Sequence, residues 1–135
     1  MSERSRTDGR PCQDVSVLVV EDHDDSRELF VYALEQAGAT VLAVSSVEQA
    51  LTWLKTVRPQ IIVSDLSMPG RDGFSLLQEV RSSPDLADLP AIAVTGQPDM
   101  MFRAAERGFQ RCLRKPVNIT DLCEAISSLV HKART

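Results

Sequence analysis

Residues 61–65, Ile-Ile-Val-Ser-Asp, form a short apolar run that stops on a carboxylate and passes at once into Met68-Pro69-Gly70. An unbroken, β-branched run of this length, closed by turn residues, has the pattern of a strand covered on both faces, as strands of parallel sheets are. Residues 15–20, Val-Ser-Val-Leu-Val-Val, repeat the pattern and stop on Glu21-Asp22-His23-Asp24-Asp25. Strands buried on both faces need helices above and below them, and the intervening segments must supply those helices.

The first such segment has capping-box spacing at Asp25 and Glu28, then Phe30, Ala33, Leu34 and Ala37 at helical intervals up to Gly38. Residues 40–44 read as a less apolar strand, and Ser46 with Gln49 opens a helix built on Val47, Ala50, Leu51 and Leu54 before Pro59. After the Asp65 loop, Phe74, Leu76, Leu77 and Val80 carry a third helix, and residues 90–95 form a strand ending on Thr95. Pro98 suits the first turn of a fourth helix that Gly108 closes. Residues 109–114 make a short fifth strand ending on Lys115-Pro116, and Asn118 can cap a last helix carried by Ile119, Leu122, Ile126, Leu129 and Val130. Five strands alternating with five helices predict an α/β fold, a parallel sheet with right-handed crossovers and helices on both faces. In such folds ligands gather at the carboxyl ends of the strands, where Glu21, Asp22, Asp65, Thr95 and Lys115 would all lie.

With 135 residues the chain has the length of one domain. The reading divides it into a flexible leader at 1–14, the domain at 15–132 and a tail at 133–135. A formal charge of -4 and a pI near 5.1 give no general electrostatic reason to bind nucleic acid or anionic lipid. No apolar run is long enough to cross a bilayer, and the first ten residues lack the apolar core of a secretion signal, so a cytoplasmic location is expected. Cys12, Cys112 and Cys123 fit neither a disulfide framework nor paired zinc ligands and read as reduced structural thiols.

Three carboxylates on one sheet edge repel each other unless a cation sits among them. An all-oxygen set favours a hard ion, and Mg²⁺ is the usual choice beside phosphate. Thr95 offers a small donor and Lys115 a mobile positive charge for phosphoryl oxygens, which leaves Asp65 as the nucleophile that would become an acyl phosphate. No Ser-His-Asp set, Walker loop or CxxC motif competes with this assignment.

Glu21-Asp22 after an apolar strand, Asp65 in Val-Ser-Asp-Leu-Ser-Met-Pro-Gly-Arg-Asp-Gly, Thr95 in Ala-Val-Thr-Gly, and Lys115-Pro116 together resemble the receiver domain of two-component response regulators, over about residues 15 to 132. The resemblance implies a flavodoxin-like (βα)5 sandwich of three layers, with strand order 2-1-3-4-5. It implies phosphotransfer to Asp65 from a phosphohistidine on a histidine kinase or histidine phosphotransfer protein. Mg²⁺ would be held by Asp22, Asp65 and the backbone carbonyl of Ser67, with Glu21 assisting through water. Thr95 would rotate toward the phosphoryl group, Lys115 would pair with it, and the Lys115-Pro116 peptide would be a candidate for the cis form. The downstream protein target would meet the fourth helix, fifth strand and last helix, with a homodimer as a further option and with no direct nucleic-acid contact or membrane insertion. The chain departs from the family pattern at Cys112, where an aromatic residue usually stands, and at Glu21, where aspartate is commoner.

Other eye-catching residues have plainer readings. Asp24 and Asp25 are expected to be helix-capping, solvated acids, His23 a loop or docking residue and Asp72 a turn former. Cys112 is expected to be an inert small hydrophobe of an interior strand, and Tyr32 and Trp53 packing residues. Met100, Met101 and Phe102 begin the fourth helix, where some must face out toward a partner. The resulting expectation is a stand-alone phosphorylatable switch whose output is protein contact. Two rivals stand beside it. A haloacid-dehalogenase-like Mg²⁺ phosphatase wants a second carboxylate two positions after the nucleophile, where this chain has Ser67. A receiver-shaped module that is never phosphorylated would leave the acid, threonine and lysine set without a use.

Overall fold

The computed structural model describes residues 10–134. Strands and helices alternate throughout: β1 (Ser16–Val20), α1 (Asp24–Gln36), β2 (Thr40–Val44), α2 (Val47–Leu54), β3 (Ile61–Asp65), α3 (Gly73–Ser82), β4 (Ala91–Thr95), α4 (Pro98–Arg107), β5 (Arg111–Arg114) and α5 (Ile119–Arg134). The sheet is parallel with order β2-β1-β3-β4-β5, the doubly wound, flavodoxin-like order that the sequence pattern predicts.

Strand periodicity divides the core into two sheets of side chains. Leu18, Val20 and Ile62 point to one face, where Val47, Ala50, Leu54, Leu76, Val80 and Ala104 from α2, α3 and α4 cover them. Val17, Val19, Ile61, Val63, Ile92 and Val94 serve the other face, beneath Leu34 of α1 and Leu122, Ile126 and Val130 of α5. Every residue of β3 and β4 is buried, whereas β2 and β5 expose residues at the sheet's two edges. The apolar runs of the sequence are the central strands.

Helix starts follow their side-chain chemistry, with one shift. Ser46 accepts a hydrogen bond from the Gln49 amide, Asp72 from the Ser75 amide and Asn118 from the Asp121 amide. Pro98 occupies the first turn of α4, and Gly108 ends it in the left-handed conformation, φ 111°. In α1, however, the cap is His23, whose Nδ1 accepts from the Ser26 amide, so the expected Asp25–Glu28 capping box does not form. Asp24 sits inside the first turn and pairs with Arg27 instead.

Three further sequence expectations change. Residues 10–14, assigned to a flexible leader, form a turn whose Cys12 and Asp14 amides donate to the carbonyls of Ala37 and Gly38. Burial of Cys12 in the core beneath α1 and α5 gives this turn an apolar anchor that its polar neighbours hide. Residues 1–9 lie outside the described residues. Cys112 is on the edge strand β5 and is only half-buried, since no strand pairs beyond it among the described residues. Tyr32 and Trp53 are 65% and 45% exposed, so neither is a packing residue in the full sense.

Candidate functional site

Register assembles the site. Val20 of β1 pairs with Ser64 of β3, so Glu21 and Asp22 emerge beside Asp65, at the point where strand order reverses. Asp65 pairs with Val94 and Thr95 with Arg114, which places Thr95 and Lys115 next along the same edge. Carboxylate oxygens of Glu21, Asp22 and Asp65 lie within 4.8 Å of one another. Lys115 reaches across to them: its Nζ is 3.0 Å from Glu21 Oε1 and 3.2 Å from Asp65 Oδ2.

Glu21, Asp65 and Thr95 are buried, and Asp22 is half-buried. Burial pushes the Glu21 carboxyl above the ordinary range; the Lys115 hydrogen bond opposes this and the Asp65 charge adds to it. Burial works against the charged form of Lys115 too, yet the hydrogen bond from Lys115 to Glu21 and the charges of Asp65 and Glu21 win, so its pKa is raised. The ammonium is therefore charged throughout the neutral range.

Backbone donors fix the remaining oxygens. Ser67 N donates to Asp65 Oδ1 at 3.2 Å, His23 N donates to Glu21 Oε2 at 3.2 Å, and Gln97 N donates to Thr95 Oγ1 at 3.0 Å. Lys115 N also donates to the Thr95 carbonyl at 2.8 Å, tying the hydroxyl strand to the ammonium strand. The Lys115-Pro116 peptide is cis. Glu21, Asp22, Asp65 and Lys115 thus converge through their side chains, Thr95 lies next along the same edge, tied to Lys115 through its carbonyl, and Ser67 stands beside Asp65 through its amide.

Two positioning residues carry no chemical label in the sequence. Arg27 donates from Nη1 to the carbonyls of Glu21 and Asp22 at 3.0 and 3.4 Å, while its Nη2 holds Asp24. It staples the acidic loop to α1; its spacing from Asp24 hints at the ion pair, but nothing local signals the two carbonyls. Gly73 begins α3 where a Cβ would come 2.6 Å from the Asp65 carbonyl, so only glycine lets the helix start against the acidic strand end.

Buried acid, a neighbouring hydroxyl and a charged amine around one exposed edge are suited to accepting and holding a phosphoryl group. Residues 17–127 match the response regulator receiver domain family, and the chain belongs to it. It is 38% identical over 114 residues to an uncharacterized 14.6 kDa protein in the sodA1 3' region of Leptolyngbya boryana, covering 83% of this chain and 87% of that protein. It is also 38% identical to the two-component response regulator ORR8 of Oryza sativa subsp. indica, covering 78% of this chain and 90% of that one. Among solved structures, the signal receiver domain of a signal transduction histidine kinase from Syntrophus aciditrophicus superposes with TM-score 0.80 at 29% identity, over 87% of this chain and 91% of that one. The domain is a receiver module of phosphorelay signalling. No helix among the described residues is long and apolar enough to cross a membrane.

Proposed function

We propose that Asp65 is the phosphoacceptor of this receiver, taking its phosphoryl group from a phosphohistidine. A carboxylate oxygen of Asp65 attacks phosphorus, the phosphorus–nitrogen bond of a phosphohistidine protonated on its other ring nitrogen breaks, neutral imidazole leaves with the electron pair, and an acyl phosphate remains. The observation that carries the assignment is the convergence of Lys115 on Asp65 and Glu21, beside a third carboxylate. An all-oxygen set this tight fits a small hard cation, and we assign Asp22 and Asp65, with the Ser67 carbonyl and water on Glu21, to a Mg²⁺ ion. When bound, that ion would offset charge on the transferring group.

Around it, the protein's own groups divide the work. Lys115 leaves its two carboxylates for a phosphoryl oxygen, and Thr95 Oγ1 turns from the Gln97 amide to donate to another. The added charge, roughly -1.5 to -2, biases α4, β5 and α5 toward the conformation a downstream protein binds. Phe102 on α4 is 71% exposed and supports that output face. Cys112 replaces a side chain large enough to swing with Thr95, so the output is carried by the loop and helix after Thr95. The phosphoryl donor enters from the other side of Lys115, where an apolar groove of about 810 Å³ is lined by Leu29, Phe30, Tyr32 and Ile119. We place the domain in the cytoplasm, as a signalling switch whose only chemistry is its own phosphorylation and dephosphorylation; its free thiols accord with that compartment.

The test is incubation with acetyl phosphate and Mg²⁺ followed by intact mass measurement. Wild type gains one hydroxylamine-labile phosphoryl group and Asp65→Asn gains none. A labile adduct of equal yield on Asp65→Asn would move the acceptor elsewhere, and steady turnover of varied phosphate esters would make the protein a phosphatase.

A further inference from the structure

We propose that the surface of α4 and β5 binds an acidic segment of the downstream protein, with carboxylates on its arginines and an apolar side chain on Phe102. The inference rests on the assignment of this face as the output surface and supplies the chemistry of what docks there. Arginine use divides the described part of the molecule. Arg27, Arg58, Arg71 and Arg81 each commit their guanidinium to a carboxylate or to backbone carbonyls of the fold. Arg103 and Arg107 of α4 and Arg111 and Arg114 of β5 are all exposed, and among the described residues none of them has a carboxylate at ion-pair distance or a carbonyl at hydrogen-bond distance. Arg103 reaches the Met100 sulfur, at 3.7 Å, and no oxygen. Uncommitted guanidinium groups on two consecutive elements are a charge that the fold leaves without a partner, on a chain whose formal charge is -4.

Two of these groups are held ready. Arg103 and Arg107 are one helical turn apart, and their guanidinium carbons lie 5.5 and 5.1 Å from the centre of the Phe74 ring. Phe109 steadies that ring by an edge-on contact, with centroids 6.2 Å apart. A guanidinium over an aromatic ring is held by the ring's negative face and keeps its N–H donors for an acceptor. An arriving carboxylate therefore meets donors already restrained, and less side-chain freedom is lost on binding. Met100 and Ala104 turn inward, which leaves Phe102 on the outer side of α4, 71% exposed. Phe74 belongs to α3, so Arg103 and Arg107 border the α3 side of α4, whereas Arg111 and Arg114 lie on the sheet's edge strand, on the side away from α3. An exposed ring with cations to either side suits a segment in which acids flank an apolar residue. Asp99 and Glu106, the acids of α4, pair with none of these arginines. Nucleic acid is the poorer match, because the rest of the chain is negative enough to repel it.

The experiment uses the full chain, untreated and after acetyl phosphate with Mg²⁺, to select binders from a random-peptide display library. The expected binders carry several Asp or Glu residues around an apolar one, and a synthetic copy of one of them binds more weakly as salt is raised. Its affinity should fall at least about tenfold in Arg103→Gln/Arg107→Gln and in Arg111→Gln/Arg114→Gln. Both variants should still take the phosphoryl label, which shows that they fold. Binders without an excess of acid would overturn the proposal, as would acidic binders that either variant holds as well as wild type does. Tighter binding of a duplex DNA oligonucleotide, lost in the same variants, would assign the arginines to nucleic acid instead. Intact mass of the same samples reports on Asp65 separately. A labelled wild type with no acidic binder sinks this inference alone, and an unlabelled wild type that binds acidic peptides sinks the phosphoacceptor while this inference stands.

Discussion

At the scale of single residues, Lys115 does two jobs that pull in different directions. In the resting site it neutralises Glu21 and Asp65, and in the proposed phosphorylated state it must leave them for the phosphoryl group. Lys115→Ala strips the buried carboxylates of their cation. We expect the metal-free protein to lose about 3 kcal/mol, the low end for breaking a buried pair, because the lysine is itself partly exposed. Urea unfolding in EDTA checks the loss, and Mg²⁺ should return part of it by supplying the missing positive charge. A loss of equal size with and without Mg²⁺ would mean that lysine and metal do not share a site. The placement of Glu21, Asp65 and Thr95 on one edge was legible in the sequence because each ends or directly follows an apolar run, and Asp22 and Lys115 came with them as the neighbour of Glu21 and the residue closing the short fifth strand. Arg27 was not, because its work is done on backbone carbonyls, which leave no mark on residue type.

At the scale of elements, the junction of β3 with α3 sets where Asp65 points. Gly73→Ala would force a Cβ against the Asp65 carbonyl, so the start of α3 or the end of β3 must move. Fold stability should drop by about 1–3 kcal/mol, the usual range for overpacking. The rate of phosphorylation by acetyl phosphate should fall with it, whereas an unchanged rate would show that the junction tolerates the shift. Helix α1 offers a separate handle, since Leu29 is 66% exposed and lines the groove beside Lys115. Leu29→Asp should slow phosphotransfer from a phosphorylated histidine protein at least tenfold, the effect of about 1.4 kcal/mol of lost contact. Labelling by acetyl phosphate should stay as it was, and equal slowing of both reactions would argue against donor docking there. Element order and most boundaries followed from periodicity and caps. The α1 cap did not, because Asp25 with Glu28 satisfies the same spacing rule as the cap that forms two residues earlier, at His23. The anchored turn at 10–14 was missed for a related reason: one buried cysteine among polar residues gives no period to read.

At the scale of the whole molecule, the fold accepts a buried acidic centre and must carry its cost. The folded pKa of Glu21 is raised, so the native state binds its proton more tightly than the unfolded chain does. Below the model-peptide value of 4.5 both states are protonated and Glu21 makes no difference to stability. As pH climbs from there through the raised folded value, the native state alone meets the cost of burying the charge. Lys115 has the opposite linkage: its contribution is complete below 10.5 and is lost as pH rises through its raised folded pKa. Glu21→Gln should therefore be more heat-stable than wild type at neutral pH in EDTA, with the difference fading toward pH 4. A gap that stays constant across that range would place the strain elsewhere. Zinc-finger domains stay unfolded until a metal arrives, because their ligands have nothing else to hold them together. Here the Lys115 ammonium, just past β5, already pairs with Glu21 just past β1 and with Asp65 at the end of β3, so the acids have a cation of the chain's own before any divalent ion binds. A divalent ion binding the three carboxylates would add to stability by mass action, on top of a fold the ammonium already supports.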